Sequence, residues 1–206
     1  MHPNPAFRKA DTARNITFAR DQGFGILAVA TEAAPLISHI PFLLSEDGTL
    51  AEFHLVRSNP IVRLLDAPLR ARLAVQGPHS YVSPDWYEVS DQVPTWNYVA
   101  VHLVGEISLR PQQGMRDLLD RQSAHFEDRL HPKPSWRSTK MTPEVLERMM
   151  RQIVPCALRV EEIAGTWKLG QNKPDAVRLR AADHLEPAAQ GQKTRVLAAL
   201  MRDPPA

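Results

Sequence analysis

The sequence predicts an α+β fold that is mainly antiparallel β, with a barrel-like sheet and peripheral helices. Six or seven short stretches are apolar at alternate positions or throughout, which is typical of strands. Other segments repeat apolar residues at helical spacing and fall between or after the strands. Many of the 18 prolines among the 206 residues stand near the ends of these segments, which indicates short elements joined by stiff loops.

The first part of the chain predicts one helix and then three strands. Asp11 and Thr12 can cap a helix that Gly23 ends. The strands that follow are expected at residues 24–31, 36–44 and 49–56, and Glu46-Asp47-Gly48 is a turn signal before the third. The Ser-Asn-Pro segment at residues 58–60 then predicts a helix start, because Ser and Asn cap helices and proline suits the first turn.

The second part of the chain mixes strands and helices. Strands are expected at residues 69–75, which Gln76-Gly77-Pro78 ends, at 99–109 and at 157–163. Pro111 opens one helix, and Thr142-Pro143-Glu144 caps another. The polar remainder contains one or two short helices. We therefore expect a domain over residues 1–173 and a C-terminal helical extension or tail over residues 174–206.

Composition limits the classes of function. A net charge of +2 is weak for a dedicated nucleic-acid binder. Cys156 is the single cysteine, so no internal disulfide can form. The N-terminal residues lack the apolar run of a signal peptide, and we expect a cytoplasmic protein without a membrane span. The eight histidines are dispersed, and we expect no metal site.

One candidate site is an anion-binding segment formed by His54, Arg57, Ser58 and Asn59. Here a strand ends in a cation and meets a predicted helix start, whose free N–H groups favour a phosphate. The guanidinium of Arg57 and the hydroxyl of Ser58 add donors. An ordinary helix cap beside a solvated arginine remains the alternative.

Two segments rich in aromatic residues are candidates for contact with a flat ligand or a second subunit. Residues 76–87 begin at Gln76 and carry His79, Tyr81 and Trp86 between prolines. Residues 93–98 offer ring stacking by Trp96 and hydrogen bonding by Asn97. A packed structural corner and an interface strand, respectively, remain the alternatives.

A further polar segment lies near the C-terminal end, at residues 165–173. It contains Lys168 and Gln171, which could reach an acidic or amide-bearing ligand. A polar loop after the last strand is the alternative. No residue pattern in the chain indicates a catalytic acid–base pair, so no catalytic residue is predicted.

Taken together, these segments resemble the PaiB-type family, which is known as FMN-binding negative transcriptional regulators. The resemblance runs from the N-terminus to about residue 173, and this chain has Gly170 where family members commonly have serine. The segments that carry it are Pro5 to Phe7, His39-Ile40-Pro41-Phe42, Arg57-Ser58-Asn59-Pro60, Gly77-Pro78-His79 through Trp86-Tyr87, Val93 to Tyr98 with Val101-His102, and Lys168-Leu169 with Gln171-Asn172.

The resemblance implies an FMN-binding split β-barrel related to pyridoxamine-phosphate oxidases, in which a homodimer holds FMN at its interface. It implies that the strand with His39 and the turn at Arg57 and Ser58 hold the ribityl and phosphate groups. The cofactor-binding residues expected on these grounds are His39, His54, Arg57, Ser58, Asn59, Gln76, Trp96, Asn97, Lys168 and Gln171.

The expected function is therefore that of an FMN-binding repressor rather than an enzyme. A flavin-dependent oxidoreductase and an interaction module without flavin remain alternatives. Contact with DNA is implied by the resemblance only, and candidate contributors are Arg70, Arg72, Arg148 and Arg151.

Overall fold

A computed structural model describes residues 2–188 and 190–205, which form eight strands and five α-helices. In chain order these are α1 (Thr12–Gln22), β1 (Phe24–Val29), β2 (Leu36–Pro41), β3 (Leu43–Leu44), β4 (Leu50–Val56), β5 (Leu69–Val82), β6 (Thr95–Leu109), α2 (Met115–Glu127), α3 (Pro143–Met150), β7 (Ile153–Lys168), α4 (Asp175–Leu185), β8 (Gly191–Gln192) and α5 (Thr194–Arg202). Short 3-10 helices cover Pro5–Phe7, Val62–Leu64, Pro84–Tyr87, Gln112–Gly114 and Ser138–Lys140.

The strands form one sheet in the order β2-β1-β5-β6-β7-β4-β3, and β8 pairs with β5. The pairs β1–β2, β1–β5, β3–β4, β4–β7 and β5–β8 are antiparallel. The predicted α+β, mainly antiparallel class is therefore confirmed. In the described part of the chain, no helix is both long and apolar enough to cross a membrane.

The chain divides into two compact units. The first unit contains the described residues of 1–19, 75–102 and 163–206, and the second contains residues 20–74 and 103–162. In the second unit, alternate residues of the strands are buried, as Phe53 and Leu55 show on β4. Gly105 is required on β6, because an added Cβ would lie 1.8 Å from the carbonyl oxygen of Arg159.

The first unit has its own buried cluster, to which the C-terminal helices contribute. Leu185 of α4 and Leu197 and Met201 of α5 are fully buried in it with Val99 and Trp167. Burying each large apolar side chain contributes about 1.5–3 kcal/mol. The domain boundary expected at residue 173 stays a prediction, but residues on both sides of it share this cluster.

The N-terminal helix follows the sequence prediction closely. Asp11 Oδ1 accepts a hydrogen bond of 2.7 Å from the backbone N–H of Arg14, which caps α1. Gly23 ends the helix with a φ of 57°, a value that favours glycine.

The helix predicted to start at residues 58–60 is wrong, because only the 3-10 helix Val62–Leu64 follows. Asn59 is committed to a local turn: its Oδ1 accepts 2.9 Å from the N–H of Ile61, and its Nδ2 donates 2.7 Å to Ser38 Oγ.

The strand predicted at residues 69–75 was expected to end at Gln76-Gly77-Pro78. That end is wrong, because β5 continues to Val82. The partner strand β1 pairs only with Ala71–Ala74, so Pro78 lies beyond the residues to which β1 is bonded. Proline has no backbone N–H, so a strand tolerates it at a position where no neighbouring strand accepts a hydrogen bond from that residue. Residues 79 and 80 instead pair with β8. The strand predicted at residues 157–163 is also longer than expected, because β7 extends beyond it at both ends.

Candidate functional site

The turn after β4, in the second unit, presents Arg57 and Ser58 at the surface. The Arg57 side chain is held by the protein: Nε donates 2.9 Å to the carbonyl oxygen of Arg151, and Nη2 donates to Gln112 Oε1 (3.2 Å) and to the Ile153 carbonyl (3.3 Å). These bonds fix the plane of the guanidinium. Within residues 2–188 and 190–205, Nη1 has no partner, so its two N–H groups remain available.

Ser58 adds two further donors beside this guanidinium. Neither its backbone N–H nor its hydroxyl has a hydrogen-bond partner among the described residues. A fixed cation with adjacent N–H and O–H donors fits the oxygens of a phosphate group. We call these two residues the Arg57–Ser58 corner. Because no α-helix follows, its positive charge comes from the guanidinium rather than from a helix dipole.

Asn59 and His39 were expected to share this site, and the structure separates their roles. Asn59 is occupied by Ser38 and Ile61 through its side chain. Ser38 and His39 are consecutive on β2, so their side chains point to opposite faces of the sheet. Asn59 therefore contacts the face of β2 that carries Ser38. His39 is exposed on the opposite face of this strand.

His54 lies on β4, three residues before Arg57, and lines a cavity of about 330 Å³ with residues of α2. Burial lowers the pKa of its imidazole, and a hydrogen bond with the side chain of Gln122 partly opposes this shift. His54 is therefore neutral at physiological pH. Gln122 was not predicted as a site residue, although a glutamine within the apolar stripe of a helix was a signal for it.

In the first unit, Gln76, His79 and Tyr81 of β5 gather beside Trp96 of β6; we call these four residues the Trp96 cluster. The Trp96 ring centroid lies 6.0 Å from that of His79 and 6.4 Å from that of Tyr81. Gln76 Nε2 lies 3.2 Å from His79 Nδ1. Because the side chain of Trp96 is 50% exposed, its ring offers an open surface for stacking.

Lys168 supports this cluster from β7. Its Nζ donates 2.7 Å to the carbonyl oxygen of Trp96 and also donates to Thr95 Oγ1. Burial, together with the nearby charge of Lys173, lowers the pKa of the ammonium group. Lys168 therefore fixes the backbone at Trp96, and its bonds there are made to the protein itself.

Two further residues expected at the site are directed elsewhere. Asn97 is buried and donates 3.3 Å to the sulfur of Met201. Gln171 closes its own turn, since its Oε1 accepts 2.8 Å from the N–H of Leu169 and its Nε2 donates 2.6 Å to the Trp167 carbonyl. Gly170, in the same turn, has a φ of 81°, which explains why glycine suits this position.

The described residues contain no group of three or more His, Cys, Asp or Glu side chains that could hold a metal ion. Two surfaces that could hold parts of a ligand are thus an anion-binding corner in the second unit and an aromatic cluster in the first. The sequence predicted Arg57, Ser58, Gln76 and Trp96 as members of a single cofactor site, and that assignment stays a prediction.

Comparison with known proteins was consistent with these features. A family model described as "Putative FMN-binding domain" matches residues 1–162. The chain is 28% identical over 202 residues to "Protease synthase and sporulation protein PAI 2" of Bacillus subtilis (strain 168), and the match covers 97% of this chain and 96% of that protein.

Solved structures show the same fold at low sequence identity. The FAD and heme binding protein from Mycobacterium smegmatis superimposes with a TM-score of 0.58 at 15% identity, covering 80% of this chain and 74% of that one. The flavocytochrome Anf3 from Azotobacter vinelandii gives a TM-score of 0.57 at 11% identity, covering 82% and 73%. The fold is therefore a split β-barrel with peripheral helices.

Proposed function

This chain belongs to the "Putative FMN-binding domain" family, and from that membership we propose that it is an FMN-binding split-barrel protein. The observation that carries the proposal is the Arg57–Ser58 corner. There Arg57 Nη1 and the N–H and hydroxyl of Ser58 have no partner within the described residues, while the rest of the guanidinium is held in place.

The residues of the corner fit the phosphate of FMN. Arg57 would donate both Nη1 hydrogens to phosphate oxygens, and Ser58 would donate from its backbone and hydroxyl. Because three acceptors of the protein already fix the arginine, little side-chain entropy is lost on binding. Phosphate binding is therefore the role that we propose for Arg57 and Ser58.

The Trp96 cluster is the surface that fits a planar ring system. Trp96 would stack on the ring, and Gln76, adjacent to His79, would supply an amide for its polar edge. When bound, FMN supplies redox chemistry of its own, whereas these residues bind and orient the ring.

We also propose that the protein is a homodimer. Trp96 (50% exposed) and Val93 (72% exposed) leave apolar surface in the first unit that a second subunit could cover. A dimer would also allow residues from two chains to complete one flavin site.

The direct test is an absorbance spectrum of the purified protein before and after addition of FMN, followed by gel filtration. We expect a flavin band that elutes with the protein. Protein that stays colourless after this treatment would contradict the proposal and favour an interaction module without flavin.

Repression of transcription and contact with DNA stay predictions. Of the four arginines named for DNA contact, Arg70 is paired with Glu161, whereas Arg72, Arg148 and Arg151 are exposed. A gel shift at two salt concentrations tests this, because binding through phosphates weakens steeply with salt. The alternative of a flavin-dependent oxidoreductase would be favoured by turnover of NAD(P)H.

A further inference from the structure

Strand β8 brings a residue of the C-terminal extension to the edge of the Trp96 cluster. In the register of β8 with β5, Gln192 lies directly opposite His79, and Gly191 lies opposite Ser80. The side chains of directly opposite residues lie on the same face of a sheet, with Cβ atoms about 4.5–5.5 Å apart. Gln192 therefore lies next to His79 on the face that carries the Trp96 cluster.

Gln192, His79 and Trp96 form a row across three neighbouring strands. Strand β8 lies on the edge of β5 that β1 leaves free beyond Ala74, and β6, which carries Trp96, lies on the other edge. The ring centroids of His79 and Trp96 are 6.0 Å apart. Because neighbouring strands lie about 4.8 Å apart, the row spans about 10 Å. A three-ring ligand stacked on Trp96 would therefore extend over His79 towards Gln192.

The backbone of β8 is held firmly beside β5. The carbonyl oxygen of Gln190 accepts 2.8 Å from Ser80 Oγ and 3.1 Å from the N–H of Tyr81. Gly191 allows the close approach of the two strands, because an added Cβ there would lie 2.3 Å from the carbonyl oxygen of His79. The position of Gln192 is thus fixed by contacts that its own side chain does not make.

The side-chain amide of Gln192 is available to a ligand. The residue is exposed, and within the described chain its amide has no hydrogen-bond partner. The amide of Gln76, in contrast, already has its Nε2 3.2 Å from His79 Nδ1. The pyrimidine edge of a flavin presents a carbonyl, an N–H and a second carbonyl in a row. Because one primary amide cannot pair with all three groups, this edge fits two amides better than one.

We propose that Gln192 is a specificity-determining residue of the flavin site, whose amide hydrogen-bonds the N3–H and an adjacent carbonyl of a ring stacked on Trp96. This inference rests on the proposed FMN binding and deepens it. The matched family model ends at residue 162, so β8 lies outside it. The C-terminal extension thus contributes to recognition of the ring as well as to the buried cluster of the first unit.

Fluorescence titration of the full chain with FMN and with 3-methyl-FMN tests the proposal. The two probes differ only at N3, where the methyl group replaces the hydrogen that Gln192 would accept. Both carry the phosphate, so the Arg57–Ser58 corner contributes equally to both affinities. We expect the wild type to bind FMN about tenfold more tightly than 3-methyl-FMN, as for loss of one hydrogen bond.

Gln192→Met keeps the length of the side chain but removes its amide. We expect this change to weaken FMN binding about tenfold and to affect 3-methyl-FMN far less, so that the variant discriminates poorly between the probes. Gln113→Met, at an exposed position in the second unit, is the matched control and should discriminate as the wild type does. Both variants should melt at the wild-type temperature, because backbone contacts hold β8.

The outcomes separate this proposal from that of FMN binding. If Gln192→Met binds FMN as the wild type does, or keeps the full preference for FMN over 3-methyl-FMN, the role of Gln192 is overturned while FMN binding stands. If the wild type binds neither probe, both proposals are overturned.

Discussion

Trp167 Nε1 donates a hydrogen bond of 2.9 Å to Oδ1 of Asn15, and both side chains are buried although 152 positions separate them in the chain. The bond ties the end of β7 to α1 within the first unit. Gly165 makes the approach possible, because an added Cβ there would lie 2.1 Å from Asn15 Oδ1. Arg14 lies over the Trp167 ring, 5.0 Å from its centroid.

Asn15→Ala should therefore destabilise the protein. Trp167 Nε1 would be left buried without an acceptor, so we expect a loss of about 1–3 kcal/mol in the free energy of unfolding. Urea unfolding measures this loss. Asn172→Ala, at an exposed position, is the control, and an equal, small effect of both changes would show that the buried bond contributes nothing.

Asp47 should make unfolding depend on pH in the acid range. Hydrogen bonds from Ser45 and Thr49 lower the pKa of its carboxyl from 3.8 to about 2. Because the folded pKa is the lower one, this stabilisation is complete above 3.8 and is lost as the pH falls towards 2.

Asp47→Asn should accordingly show a smaller fall in stability than the wild type across that pH range. Urea unfolding at several pH values provides the comparison. Asp66→Asn changes an exposed carboxylate without hydrogen bonds in the described chain, and it should retain the wild-type pH dependence. An unchanged pH dependence in Asp47→Asn would refute the assignment.

Cys156 should be inert in the folded protein. It is fully buried opposite Phe53, and burial raises the pKa of its thiol to about 12. Since the thiolate is the reactive form, we expect no labelling by iodoacetamide at neutral pH and complete labelling in denaturant. Rapid labelling of the native protein, measured by mass spectrometry, would show that this strand pair opens readily.

The protein should sediment as a dimer. Covering Trp96 and Val93 would remove exposed apolar surface, and Val93→Asp should therefore weaken association. Sedimentation equilibrium at micromolar concentration measures the association of the wild type and of Val93→Asp. Val89→Asp, also at an exposed position, is the control for a general effect of charge. A monomeric wild type would contradict the dimer proposal.

Local sequence patterns were sufficient for most of the fold. The alternation of apolar residues predicted the central strands, and the Asp11 cap and Gly23 predicted both ends of α1. The extension of β5 through Pro78 could not be predicted, because it depends on β1 ending its pairing at Ala74. The missing helix after Pro60 likewise depends on the bond between Asn59 and Ser38, which are 21 positions apart.

The candidate site was predictable only where its residues are adjacent in the sequence. Arg57 and Ser58 stand together, but the carbonyl groups that fix Arg57 belong to residues 94 and 96 positions away. The burial of Asn97 could have been predicted from the sequence, because Asn97, Val99 and Val101 occupy the same face of an alternating strand. Trp96 occupies the other face, which is the exposed one.

The comparison of FMN with riboflavin, in wild type and in Arg57→Ala, tests phosphate binding at the Arg57–Ser58 corner most directly. Only FMN carries the phosphate, so we expect its affinity to fall by about tenfold or more, as for loss of a charge-assisted hydrogen bond, while that of riboflavin changes little. Arg63→Ala, at a nearby exposed arginine, should leave both affinities unchanged. Fluorescence titration gives all of these values once unfolding curves show that the variants are folded. An equal loss for both flavins in Arg57→Ala, or no loss for FMN, would contradict the assignment.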